Sequence, residues 1–203
     1  MAIDESKIID AVVGMNPHGN EEGVIDAFGV YLTNHYADYY NRISYRFENA
    51  LGKYNKDLVN MAQPLLIEAG HVCGFNTFGG IRKSDAWKGL IAPMCKKKED
   101  EVQGLVAVLN ALGWGVWKVA SITPDKFVVR SKNTYESDGF LKEFGKSKHP
   151  ECYLATGVAS SFMNIVFQDN VYENISANSF VGKETKCRCK GDPYCEFVVT
   201  RKK

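Results

Sequence analysis

The chain has 203 residues, 45% of them hydrophobic and 24% charged, the size and balance of one ordinary globular domain rather than of a disordered segment. Twenty-five Lys and Arg stand against 24 Asp and Glu, and a net charge of +1 leaves no bulk electrostatic footprint for nucleic acid or an anionic membrane. No run approaches the ~20 apolar residues of a membrane span, and the amino terminus lacks a basic stretch followed by an apolar one, so a cytoplasmic chain is expected.

In chain order, residues 1–20 carry the apolar run Ile8-Ile9-Asp10-Ala11-Val12-Val13 ahead of the turn-prone Asn16-Pro17-His18-Gly19-Asn20, which reads as a short helix or a frayed arm. From 21 to about 51, Val24, Phe28, Tyr31, His35 and Tyr39 recur in steps of three and four. That spacing predicts one long helix with Gly52 as its stop and His35 as a hydrogen-bonded core residue. Leu58, Met61, Ala62, Leu65, Leu66, Ala69, Val72 and Cys73 form a cleaner helical stripe. Pro64 must kink that element or mark its first turn. Gly70, Gly74, Gly79 and Gly80 suit close backbone packing, since no Walker spacing follows them.

Short helices are expected over 85–94 and over 99–112, the second with Val102, Leu105, Val106 and Leu109 inward and Gly113 as its stop. Lys96-Lys97-Lys98 runs straight into Glu99-Asp100-Glu101, which is a solvated helix start rather than a phosphate patch. Beyond Trp114 the period changes to two. The turn Thr123-Pro124-Asp125-Lys126 between β-branched and aromatic flanks predicts a hairpin. A helix after Cys152, rich in small residues at Ala155, Gly157, Ala159, Ser160 and Ser161, follows. Cys73 and Cys95, set in apolar helical patterns, are expected to be inert core thiols.

The stretch from Glu184 to Phe197, with Cys152 upstream, is dense in soft ligands. Thiolates at Cys152, Cys187 and Cys195 with a carboxylate at Glu184 are the inventory of a four-coordinate zinc site. Turn residues 190–193 predict a terminal hairpin. A three-residue loop would set Cys187 directly opposite Cys195, and other registers would separate them. Cys189, which shares a strand face with Cys187, is the competing ligand, and chance cysteines on a hairpin are the plain alternative.

Cys152-Tyr-Leu-Ala-Thr-Gly157-Val-Ala-Ser-Ser-Phe162, Glu184-x-x-Cys187 and Gly191-Asp192-x-x-Cys195-x-Phe197, with Asn133-Thr-Tyr135-Glu136-Ser137 upstream, resemble the 4-vinyl-reductase domain over about 64–199. That family includes hydrocarbon-binding proteins, a bacteriochlorophyll-pathway protein and sensory domains of aromatic-responsive activators. The resemblance implies zinc on Cys152, Glu184, Cys187 and Cys195, and a buried pocket for a small aromatic compound. It also marks 168–178 as an insert, and relates the fold to TRAPP-type trafficking subunits, which associate through helices.

Catalytic motifs are missing: there is no Gly-x-Ser-x-Gly, no Gly-x-Gly-x-x-Gly and no His-Glu-x-x-His. Nothing resembles an electron source for a vinyl reductase. Aromatic residues are abundant instead. His71, Trp114, Trp117, Phe127, Tyr135, Phe140 and Phe144 are the candidate ligand-binding residues, against the plain reading that they are core.

The expected architecture is α+β, with amino-terminal helices packed on a small antiparallel sheet and a zinc site at one end. Residues 1–60 would form an arm and dimerisation helix, and 61–203 the zinc and ligand-binding domain, in one unit. Three functions stay open. The first is a zinc-stapled sensor or carrier of a small hydrophobic or aromatic molecule, working through a partner protein. The second is a tetrapyrrole reductase or substrate carrier, and the third a homodimeric assembly module.

Overall fold

The Asp4 carboxylate accepts the Lys7 N–H at 3.0 Å, and this cap starts α1 (Glu5–Gly14), which buries Ile8 and Val12. Residues 3–168 and 179–202 are described here from a computed structural model, so the expected insert at 168–178 lies, Gln168 apart, outside the described residues.

The helix expected over 21–51 is corrected. Asn20 shapes a loop, its side-chain oxygen accepting the N–H of Glu22 at 3.0 Å and of Val24 at 3.1 Å. A small hairpin of β1 (Ile25–Ala27) and β2 (Val30–Leu32) follows. Its turn residues, Phe28 and Gly29, both have left-handed φ, 59° and 68°, a conformation that is free for glycine and costly for phenylalanine. Burial of Phe28 to 8% exposure offsets that strain. Helix α2 starts only at Ala37 and runs through Gly52 to Tyr54. Its inward face is mixed, Tyr45 being buried beside the polar Asn41 and Ser44, while Tyr39, Tyr40, Ile43 and Phe47 are exposed, as is Tyr36 at its cap.

Helix α3 (Lys56–Lys83) contains Pro64 in its interior. The residue-60 boundary expected between arm and domain falls inside this helix. Cys73, expected in the core, is exposed and Cys95 half-buried, because the inward stripe of α3 is carried by Leu66, Gly70, His71, Gly74 and Phe78. Those glycines admit α7 (Tyr153–Phe167) at backbone distance. A Cβ on Gly157 would sit 2.0 Å from the Ile67 carbonyl oxygen, and one on Gly70 2.3 Å from that of Leu154. Only glycine fits such an approach.

After α4 (Asp85–Leu90) and a 3₁₀ turn at Ala92–Met94, α5 (Lys98–Ala111) begins. Asp100 holds the N–H groups of Lys96 and Lys97 at 2.8 and 3.2 Å, so the lysine run is a helix start, as expected. Strands β3 (Gly115–Thr123) and β4 (Lys126–Thr134) meet at the Pro124-Asp125 turn. Helix α6 (Tyr135–Phe144) leaves β4 directly, with Thr134 and Ser137 capping each other. The chain closes with β5 (Phe180–Lys186), a 3₁₀ turn at Arg188–Lys190 and β6 (Cys195–Arg201). The antiparallel sheet has the order β3-β4-β6-β5. Its inner face carries Trp117, Phe127, Val129, Phe180, Phe197 and Val199, all 0–1% exposed. Helix α7, buried along nearly its whole length, lies against α3 and the sheet. Amino-terminal helices on a small antiparallel sheet are thus the architecture.

Candidate metal centre

Helix α7 has no side-chain cap of its own. Carboxylates from two other elements replace it. Glu136, on α6 and fully buried, accepts the N–H of Leu154 at 3.0 Å and of Ala155 at 2.8 Å. Glu184, on β5, takes the Cys152 N–H on Oε2 at 2.9 Å. Its Oε1 is buried and has no hydrogen-bond partner among the described residues.

Glu184 also belongs to a group of four. One ligand-type atom each from Cys152, Glu184, Cys187 and Cys195 lie within 4.8 Å of one another, all on buried residues. The terminal hairpin forms, but not with the three-residue loop that would place Cys187 opposite Cys195. Glu184 pairs with Phe197 and Lys186 with Glu196, so residues 187–194 make the connection. A turn inside it does the work of convergence. Asp192 accepts the Cys187 N–H at 2.9 Å, Gly191 adopts φ 96°, and the Arg188 N–H reaches Cys195 Sγ at 3.5 Å. Cys189 buries its sulfur 3.7 Å from the Ser137 carbonyl oxygen and lies outside the group of four.

Cys152 Sγ and Cys195 Sγ are 3.8 Å apart. A disulfide requires about 2.05 Å. Two thiolates at about 2.3 Å from one tetrahedral ion stand about 3.8 Å apart, so the spacing fits a shared cation. Electrostatics point the same way. Hydrogen bonds from Cys152, Cys189 and Cys195 hold the Cys187 thiol well below its ordinary range. Burial, followed by the Cys187 charge, pushes Glu184 up to about 9, and burial pushes Cys152 up as well. Donors packed this closely oppose one another's ionisation, and a divalent ion among them would relieve that repulsion.

No protein-family model matches the chain, and no curated protein matches it significantly. Solved structures do. The chain is similar over 99% of its length to the phenol-responsive sensory domain of the transcription activator PoxR, solved with phenol. The match covers 92% of that domain, with a TM-score of 0.73 and 12% identity. It is also similar to a trafficking protein particle complex subunit 3 from Naegleria fowleri, covalently bound to palmitic acid. There the TM-score is 0.52 and the identity 14%, over 83% of this chain and 98% of that one. At these identities the likeness establishes the fold.

The seven candidate ligand-binding residues fall in separate places. Trp117 stacks on Phe197 at 4.7 Å and, with Phe127, belongs to the packed inner face of the sheet. His71 sits between α3 and α7, its Nε2 2.7 Å from Asn164 Nδ2. Trp114 meets the Tyr135 ring edge-on at 5.1 Å, and the Tyr135 hydroxyl is buried without a hydrogen-bond partner among the described residues. Phe140 and Phe144 join Tyr45 in an edge-to-face group. These three rings line a cleft of about 610 Å³ with Glu48, Asn49, Gly52, Lys53, Val59 and Glu151.

Glu136 and Tyr153 are legible only as parts of family elements. Tyr45 and Glu151 carry no motif and meet this region only through folding. The Tyr45 hydroxyl lies 3.1 Å from the carbonyl oxygens of both Glu136 and Glu151, and Tyr153 donates to Glu151 at 3.0 Å.

Proposed function

We propose that the chain is a metal-stapled small-molecule-binding domain of the 4-vinyl-reductase type, with zinc held by Cys152, Glu184, Cys187 and Cys195. Three thiolates and one carboxylate close the coordination sphere, and a closed sphere binds structurally rather than catalytically. The partnerless Glu184 Oε1 is the observation that carries this reading. Oε2 already caps α7, so a metal on Oε1 would tie the start of that helix to the terminal hairpin through one side chain. When bound, the ion supplies charge neutralisation and a cross-link, and part of its binding free energy is folding free energy.

The ligand reading places a small hydrophobic or aromatic molecule in the cleft over Tyr45, Phe140 and Phe144. Its volume of about 610 Å³ lies in the range of ligand sites, and the three rings stand beside the polar Glu48, Asn49, Lys53 and Glu151 in an open cleft. Glu151, on its floor, directly precedes Cys152, so occupancy and the metal lobe share a backbone connection. The related fold of the phenol-responsive domain supports the same ligand class. Titration of phenol and of larger aromatics, followed by calorimetry, tests it: binding abolished by Phe140→Ala and kept by Trp117→Phe is expected. Binding insensitive to Phe140→Ala would remove the cleft from the account.

A homodimer is the assembly favoured by α2. On α2, Tyr40, Ile43 and Phe47 recur at three and four, the seam spacing of paired helices, with Tyr36 at the helix cap. With Tyr39, Met61 and Leu65, at 39–64% exposure, they offer roughly 700 Å², taking 150–250 Å² per large side chain. A standard interface needs about 800 Å² per partner.

A further inference from the structure

The overall charge of +1 conceals a segregation that appears only when the sheet is assembled. On β4, buried Phe127, Val129 and Ser131 alternate with exposed Lys126, Arg130 and Lys132. Register adds Lys118 on β3, directly opposite Arg130, and Lys183 on β5, opposite Val198. Glu196, opposite Arg130 and paired with it at 2.7 Å, is the one carboxylate at the outward strand positions among the described residues. At one end Lys186 and Arg130 flank the Tyr194 ring, 4.8 and 5.1 Å from its centre. Val116 and Val181, 48% and 49% exposed, stand on the two outer strands.

Folding alone does not ask for this arrangement. Like charges directly across a ladder, as at Lys118 and Arg130, destabilise it. Lysines that blunt a sheet edge belong on edge strands, yet Lys126, Arg130 and Lys132 lie on β4, an interior strand. The β3 edge is already guarded in another way. Asn110 satisfies both the N–H and the carbonyl of Trp117, at 2.8 and 2.9 Å, and register shifts interrupt the strand. An added peptide strand is therefore not the occupant at the β3 edge. Single-stranded nucleic acid needs open aromatic faces, and Tyr194 has its face taken by cations.

We propose that this outer face docks on the surface of an anionic phospholipid bilayer. Lys118, Lys126, Arg130, Lys132 and Lys183 would meet lipid phosphates and carboxylates, while Val116 and Val181 enter the interface. A broad cationic array edged by apolar side chains is complementary to such a surface.

The test is co-sedimentation of the full chain with phosphatidylcholine vesicles, with and without roughly one-third phosphatidylserine. Binding is expected only with the anionic lipid, and is expected to be lost near 0.5 M salt, where screening is about 4 Å. Lys118→Gln, Lys132→Gln and Lys183→Gln should each lower the partition coefficient roughly fivefold. Lys7→Gln, on α1, should leave it unchanged, and circular dichroism of each variant reports the fold. Equal binding to neutral vesicles, face variants that bind like Lys7→Gln, or retention on a DNA duplex without vesicle binding would each overturn the proposal.

Discussion

Replacing Glu136 with alanine tests how the start of α7 is held. Its carboxylate accepts two N–H groups of the first helical turn, at 2.8 and 3.0 Å, and is itself fully buried. Removing it strands two buried donors, each worth about 1–3 kcal/mol, with no solvent to replace the lost acceptor. A loss of about 3–5 kcal/mol follows. For a domain of this size each kcal/mol is about 2–4 °C of Tm, so the melting temperature should fall by at least about 6 °C. Glu136→Gln keeps one acceptor and should cost about half as much. The assay is thermal melting followed by circular dichroism, together with metal content, because Cys152 lies at the same helix end. A melting temperature for Glu136→Ala within about 2 °C of the parent would refute the reasoning.

Gly157→Ala should destabilise by more than about 3 kcal/mol, since the new Cβ meets the Ile67 carbonyl and the His71 amide at 2.0 and 2.4 Å. Gly89→Ala on α4, with nothing within 4 Å, should be neutral or stabilise by about 0.5–1 kcal/mol; denaturant midpoints distinguish the two. Burial lowers the His71 pKa, so the unfolded chain binds the extra proton first. Stability is then present above the ordinary histidine range near 6.5 and is lost as pH falls through the folded value. His71→Gln should therefore flatten the fall in Tm between about pH 7 and 5, and an unchanged slope would count against it. Ile43→Glu with Phe47→Glu should convert a dimer to a monomer in sedimentation without changing the circular dichroism.

Much of this fold is written locally. The β3–β4 hairpin is legible because Pro124-Asp125 dictates a turn between alternating segments, and α5 because Asp100 stands where a helix start needs an acceptor. The region from 21 to 36 misleads for a physical reason. Aromatics three and four apart mimic a helix, yet Gly23 and Gly29 adopt left-handed φ, 76° and 68°, and with Asn20 they build loop and hairpin. In α2 the period is real, but Tyr45 turns inward with Asn41 and Ser44 while Tyr39, Tyr40, Ile43 and Phe47 turn outward, a choice of face that periodicity cannot report. Cys73 is misjudged in the same way, because Gly70 and Gly74, which have no apolar side chain to count, carry the contact that sets the inward face of α3.

The four candidate ligands are legible as residue types. What brings Cys187 to Cys195 is not an opposite register but the Asp192-closed turn, a non-local geometry that a pairing rule misses. Glu136 and Glu151 look like surface carboxylates in the sequence and are buried only because α7 comes to rest on them. The cationic sheet face is invisible to net charge, since it exists only once β3, β4 and β5 are aligned.

The most direct measurement is native mass spectrometry of protein purified without added metal, with elemental analysis and a melt before and after chelation. The account predicts one zinc per chain and a lower melting temperature once the ion is removed. It also predicts loss of the ion in Cys195→Ser and its retention in Cys189→Ser. A metal-free protein that melts cooperatively at the same temperature with and without chelator would contradict it.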